Sequence, residues 1–82
     1  MSRTKIKQLG ANRQEIHLSD GKTILFVSYE TVVAARLSNY EYVRTSTNHS
    51  RTTQKHITQW LEGVAAEKKD QTFFDELLPL VG

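Results

Sequence analysis

The chain has 82 residues, which suffices for one small domain but not for two halves that each bury a core. Cysteine is absent, which excludes a disulfide scaffold, a cysteine-ligated metal centre and a thiol nucleophile. The formal net charge is only +2, and the longest apolar run, residues 24–27, is far too short to span a membrane. We therefore expect a single domain over residues 1–82, located in the cytoplasm.

The N-terminal half shows the alternation of apolar and polar residues that is typical of strands. Predicted strands cover residues 4–9, 14–18, 22–28, 31–37 and 40–45, within a sheet that spans 4–47. Asp20-Gly21 between two apolar runs favours a hairpin turn, since both residue types tolerate a positive φ. With a two-residue loop, Ile16 lies opposite Leu25.

After residue 50, the apolar spacing changes to the 3.6-residue period of a helix. The apolar stripe consists of Ile57, Trp60, Leu61, Val64 and Ala65. It predicts one main helix over 50–66 that packs on the sheet. We expect Trp60 to be buried there against Ile16, Leu25 and Val27.

A short second helix is predicted over 72–78, where Thr72 and Asp75 have the spacing of a capping box and Pro79 ends the helix. Its apolar side chains are Phe73, Phe74, Leu77 and Leu78. This set exceeds what one face of a two-turn helix usually buries in a small monomer, so we expect the first three to support a two-fold homodimer. The predicted fold is α+β: an antiparallel sheet of four to five strands, one main helix packed on it and a short C-terminal helix.

Five short segments in the central part of the chain carry a family resemblance. They are SYET at 28–31, VAA at 33–35, YVRTS at 42–46, SRTT at 50–53 and HITQWL at 56–61. The chain resembles a small family of uncharacterised bacteriophage proteins with the pattern SYxTxVA, then RT, then SxTTxxHIxxWL. Members often have proline where this chain has Val32. The family has no assigned activity, so the resemblance implies a phage or prophage setting and no catalytic residues.

Positive charge is concentrated in residues 1–60, which carry nine basic and four acidic residues, whereas residues 61–82 carry two basic and five acidic ones. The polar stretch 44–56 lies between the last predicted strand and the main helix. Arg44, Arg51 and Lys55 supply positive charge there, and Ser50 and Thr52 are candidate N-caps with hydroxyls beside the free N–H groups of the helix start. These five residues form a candidate site for phosphate or another anion. The alternative is a well-capped loop whose serine and threonine side chains bond their own backbone.

Two tyrosines of the last predicted strand are candidate stacking platforms. Tyr40, Tyr42 and Arg44 alternate onto one strand face, and such a face can stack on unpaired bases. The alternative is ordinary sheet packing with the hydroxyls at the rim.

The sequence favours neither an enzyme nor a metal or cofactor site. The histidines are His17, His49 and His56; no carboxylate lies near the last two in the sequence and cysteine is absent, so a three-ligand zinc site would need a distant partner. The serines near His49 have no nucleophile-elbow glycines. A chain of this size also rarely builds a deep pocket. We therefore expect no catalytic residues, no bound metal and no cofactor.

These features are typical of a small phage-type binding protein in the cytoplasm of the host cell. The first hypothesis is nucleic-acid binding through the basic loop and the helix N-terminus. The alternative is a protein-binding accessory factor, or an inhibitor of a host or defence protein, without contact to a membrane. Salt-dependent retention on nucleic acid separates the two, because phosphate binding weakens steeply with salt.

Overall fold

The computed structural model describes residues 5–29 and 31–77. Within them the strands are β1 (Lys5–Gly10), β2 (Arg13–His17), β3 (Ile24–Ser28), β4 (Thr31–Arg36), β5 (Tyr42–Thr45) and β6 (Glu67–Lys69), and the helices are α1 (Arg51–Leu61) and α2 (Gln71–Asp75). The strands form one sheet in the order of the chain, antiparallel from β1 to β5 and parallel between β5 and β6. The predicted α+β class is confirmed, with six described strands in place of four or five.

The β2–β3 hairpin has the predicted register, with Ile16 opposite Leu25. Asp20 holds its turn: one carboxylate oxygen accepts from the backbone N–H groups of Lys22 and Thr23 at 2.8 Å, and the other accepts from the Thr23 hydroxyl at 2.6 Å. Gly21 adopts the left-handed φ of 73° that the turn requires. The register is as predicted, but the loop is longer than two residues, because the Leu18 N–H donates to the Thr23 carbonyl at 3.0 Å and Asp20 does not have a positive φ.

The hydrogen bonds to Asp20 predict an acid-sensitive turn. Donation by the Thr23 hydroxyl, the Thr23 amide and the Lys22 amide lowers the pKa of Asp20 to about 2. The unfolded chain binds this proton more readily, so the stabilisation is full above the ordinary pKa of 3.8 and is lost as the pH falls to about 2. Urea unfolding at several pH values between these limits measures it. An Asp20→Ala chain with the same pH dependence as the wild type would contradict this prediction.

The sheet is buried on both faces. On one face, Phe74 of α2 completes a cluster with Ile16, Leu25, Val27, Val32, Ala35 and Val43. On the other face, Ile57 and Leu61 of α1 pack on Phe26, Val33 and Ala34. Strand residues alternate between the two faces except at a bulge in β4, where Val33 and Ala34 both lie on the α1 face, so the two helices cover different sets of side chains.

The predicted contacts of Trp60 are wrong. Ile16, Leu25 and Val27 lie on the α2 face, whereas Trp60 lies on the α1 face and stacks on Phe26 with ring centroids 5.1 Å apart. On β2, the residues that lie on the same face as Phe26 are polar. The sequence therefore indicated that this face is half exposed. The α1 helix covers it nevertheless.

The main helix begins as predicted and ends early. Ser50 is its N-cap, because its Oγ accepts from the Thr53 N–H at 3.2 Å. The helix ends at Leu61 and not at residue 66, since Glu62 and Gly63 have φ values of 50° and 84°. Val64 therefore lies outside the apolar stripe and is 44% exposed.

The polar segment after α1 is a strand and the start of a helix, where the sequence indicated only a break. β6 pairs in parallel with β5, so α1 is the crossover between them. The N-cap of α2 is Asp70, without a side-chain bond, so the predicted capping box of Thr72 and Asp75 is wrong. The described helix ends at Asp75 instead of residue 78, and the predicted roles of residues 78–79 lie outside the described residues.

Gln71 fastens α2 to the sheet. Its Oε1 accepts from the Thr45 hydroxyl and from His49 Nε2, both at 2.8 Å, and its Nε2 donates to the Val32 carbonyl at 2.9 Å. The side chain thereby joins α2 to β4, β5 and the loop before α1.

The predicted dimer residues have different environments. Phe74 is 0% exposed inside the chain's own core, so its side chain is not available to a second copy. Phe73 and Leu77 are partly buried beside the same core. Self-association through those two residues stays a prediction. No helix in the described ranges is long and apolar enough to cross a membrane.

Candidate nucleic-acid interface

Two cations project from neighbouring strands on the α1 face of the sheet. Arg44 on β5 pairs in register with Ala34 on one side and with Lys68 of β6 on the other. Ala34 belongs to the cluster beneath α1, and residues directly opposite in a sheet share a face. Arg44 and Lys68 therefore both lie beside α1.

Two further cations, Arg51 and Lys55, lie toward solvent on α1, beyond the flank of the helix that contacts these strands. The Oε1 of Gln54 accepts from Arg44 Nη2 at 2.8 Å, which places this flank of the helix over β5. At about 100° per residue, Arg51 and Lys55 lie about 60° and 100° further round toward solvent. Both side chains are exposed. We call Arg44, Arg51, Lys55 and Lys68 the basic flank.

A hydrogen bond to α1, and not a folded-back loop, places Arg44 beside the helix. The sequence left open whether the loop after β5 folds back to bring this residue to the helix start. In the structure, the Gln54 side chain bridges Arg44 and the Thr47 carbonyl, to which it donates at 3.4 Å. The Nε of Arg44 is buried and has no hydrogen-bond partner within the described residues. Arg44 therefore keeps an unused donor at the inner edge of the basic flank.

The hydroxyls of the predicted anion site have mixed roles. The Oγ of Ser50 accepts the capping bond and donates to the Thr53 hydroxyl at 3.2 Å. The Thr45 hydroxyl accepts from the Thr47 N–H at 3.1 Å, so the loop also bonds its own backbone. Thr52 is exposed in the first helical turn. The Ser50 hydroxyl therefore behaves as the capped-loop alternative expects. The cations of the basic flank take no part in these loop hydrogen bonds.

The two candidate stacking tyrosines do not share a strand face. β5 begins at Tyr42, and Tyr40 lies in the preceding turn with a left-handed φ of 69°. The Tyr40 ring is 60% exposed, with the Arg36 guanidinium 5.3 Å from its centroid. Tyr42 is half-buried with its ring 5.8 Å from that of Trp60. The turn between β4 and β5 is longer than the two residues that the sequence indicated, which separates the pair.

The three histidines lie in separate environments. His17 contacts Glu15 at 2.9 Å, His49 bonds Gln71, and His56 Nδ1 lies 3.0 Å from the Ser28 hydroxyl. Partial burial, followed by the charges of nearby arginine and lysine side chains, lowers the pKa of His56. Within residues 5–29 and 31–77, no group of three acidic or histidine side chains is placed to hold a metal ion.

The sequence supplied part of this surface and missed Lys68. The i,i+4 spacing of Arg51 and Lys55 already placed those two on one side of a helix. Lys68 belonged to an apparent polar break, and only its register with Arg44 brings it here. To place Lys68 on this surface from the sequence, one would have to predict the three-residue strand Glu67–Lys69.

Residues 4–76 match a family of unknown function, DUF8033. No curated protein matches the chain, and no solved structure does.

Proposed function

The chain belongs to the DUF8033 family, and we propose that it is a non-enzymatic protein that binds nucleic acid through the basic flank. The observation that carries the proposal is that Arg44 and Lys68 are register neighbours on β5 and β6, and that Arg44 bonds Gln54 of α1, the helix that also presents the exposed Arg51 and Lys55. Cations grouped on one face can neutralise successive phosphates, which is the dominant source of affinity for nucleic acid.

The chemistry of the basic flank suits a phosphate backbone. Guanidinium groups offer several donors in a plane, whereas ammonium groups act as compact charges, and this surface supplies two of each kind. The N–H groups of the first turn of α1 add positive potential at one end of the flank. Phosphate contacts of this type carry no sequence preference of their own.

The contact between Ser28 and His56 is compatible with a non-enzymatic protein. A serine hydroxyl beside a histidine is an arrangement that catalytic sites use, but Ser28 is only 1% exposed. A nucleophile must reach its substrate, so this buried hydroxyl is better explained as part of the contact between β3 and α1.

The setting that we propose is a phage or prophage, with the protein acting in the host-cell cytoplasm. The resemblance of the segments at 28–35, 42–46 and 50–61 to phage proteins supports this setting.

The salt dependence of binding tests the proposal. Fluorescence anisotropy with labelled single- and double-stranded DNA and RNA should show affinity that falls as salt rises from about 50 to 200 mM. Four engaged cations predict a slope of log affinity against log salt of about −3 to −4. No binding to any of these nucleic acids at the lowest salt would refute the proposal. A nuclease-resistant protein partner captured from infected cells would then favour the protein-binding alternative.

A further inference from the structure

A cleft of about 340 Å³ opens beside Trp60 on the α1 face of the sheet. It lies at the C-terminal end of α1, which ends at Leu61. The side chains that matter for its chemistry are Arg13, Glu15, Arg36, Tyr42, Trp60 and Glu62. Its volume is at the lower end of the range of small-molecule sites, about 300–1,000 Å³.

The charged groups of the cleft balance each other. Two arginines and two glutamates line it, so its formal charge is zero. Burial raises the pKa of Glu15, but hydrogen bonds with His17 and Trp60 outweigh it and hold that pKa below its ordinary value. Glu15 is therefore ionised at neutral pH. A balanced wall of this kind does not select a phosphate, and it suits a neutral group that has both donors and acceptors.

Flat groups form much of the wall. The Trp60 ring is fixed between its stack on Phe26 and its hydrogen bond to Glu15 Oε2, 2.7 Å long. Tyr42 meets Trp60 edge to face. The guanidinium of Arg36 is held by two bonds to the Lys22 carbonyl, at 3.1 and 2.9 Å. Rings and guanidinium planes that are fixed in this way stack on planar ligands, and Arg13 and Glu62 add polar partners at the ligand's edge.

The cleft adjoins the basic flank. Tyr42 and Arg44 are two residues apart on β5, so both point to the α1 face at a spacing of about 7 Å. The cleft is therefore within reach of a nucleotide whose phosphate contacts Arg44.

We propose that the cleft holds one unpaired nucleobase of a single strand whose phosphates lie on the basic flank. The phosphate contacts in this inference rest on the proposed function. The binding of the base rests on the cleft alone. A nucleobase is a planar neutral ring with donors and acceptors on its edge, which matches the cleft wall. The bound strand must be single-stranded, since a paired base cannot enter.

Trp60 is the single tryptophan of the chain, so its fluorescence reports on the cleft. Three probes separate base from phosphate: a single-stranded oligonucleotide, an abasic oligonucleotide of equal length, and a free nucleoside. We expect the first and third to quench Trp60, and the abasic strand to bind by anisotropy without quenching. Tyr42→Ala should weaken binding of the base-bearing strand about tenfold or more, as expected for one lost stacking contact. Its affinity for the abasic strand should not change.

Arg36→Lys is the second variant, because it keeps the charge and removes the flat guanidinium even if Tyr42→Ala fails to fold. It should weaken nucleoside quenching without changing affinity for the abasic strand. Equal quenching by abasic and base-bearing strands, or no quenching by nucleoside at millimolar concentration, would overturn the inference and leave the basic flank standing. Nucleoside quenching without salt-dependent strand binding would support the cleft and refute the proposed function.

Discussion

Replacing Phe74 by alanine should lower the free energy of unfolding by about 3–5 kcal/mol. Its ring is 0% exposed, packs edge to face on Phe73 at 5.2 Å, and completes the cluster on the α2 face of the sheet. The loss combines the transfer of the ring to water with the cavity left behind. A small domain has little more stability than this, so the variant should be largely unfolded at 37 °C. Urea denaturation followed by circular dichroism measures the change.

Two neighbours on α2 provide controls for Phe74. Thr72 is exposed, so Thr72→Ala should change the unfolding free energy by no more than about 0.5 kcal/mol. Phe73 is partly buried, so Phe73→Ala should have an intermediate effect. A Phe74→Ala chain that unfolds like the wild type but loses self-association would place Phe74 in a dimer interface. That outcome, which the sequence alone suggested, would contradict its burial in the core.

The features that the sequence predicted correctly depend on local interactions. Asp20-Gly21 gave the register of the β2–β3 hairpin, because a tight turn fixes which residues of its two strands face each other. Ser50 gave the start of α1, because an N-cap bond joins residues only three apart. Both signals lie within a few residues of the structure that they determine.

The features that the sequence missed depend on distant contacts or on unusual backbone. Strand β6 has the sequence EKK, which shows no apolar alternation, and it forms only because β5 offers a free edge. Glu62 takes a left-handed conformation that few non-glycine residues adopt, so the continuing apolar stripe overstated the length of α1. The face that α1 covers was also misjudged, since polar residues such as Glu15 share it and bond the helix through Trp60.

The same division applies to the candidate site. Arg51 and Lys55 follow from helical spacing, whereas Arg44 is joined to the same helix by its hydrogen bond to Gln54, ten residues further along the chain. Lys68 depends on β6 and was not predicted. The cleft beside Trp60 draws its walls from several strands and from α1, and no short motif signals such a set.

Removing the exposed cations of the basic flank should largely abolish salt-dependent binding. The variant is Arg51→Ala, Lys55→Ala and Lys68→Ala, which keeps Arg44 because that side chain packs beneath α1. Each lost cation should reduce the slope of log affinity against log salt by about one unit, so about three units should be lost. The fold should persist, since all three side chains are exposed.

The most direct test compares this variant with one that loses three other exposed lysines, Lys5, Lys7 and Lys22, which lie in β1 and in the β2–β3 turn. Both variants have the same formal net charge, so general attraction to nucleic acid falls equally in both. Anisotropy titrations of one labelled single strand over a range of salt concentrations give the two slopes. We predict that the basic-flank variant loses about three units of slope and the control variant loses less than about one. Equal losses in the two variants, or a larger loss in the control, would show that the basic flank is not the binding surface.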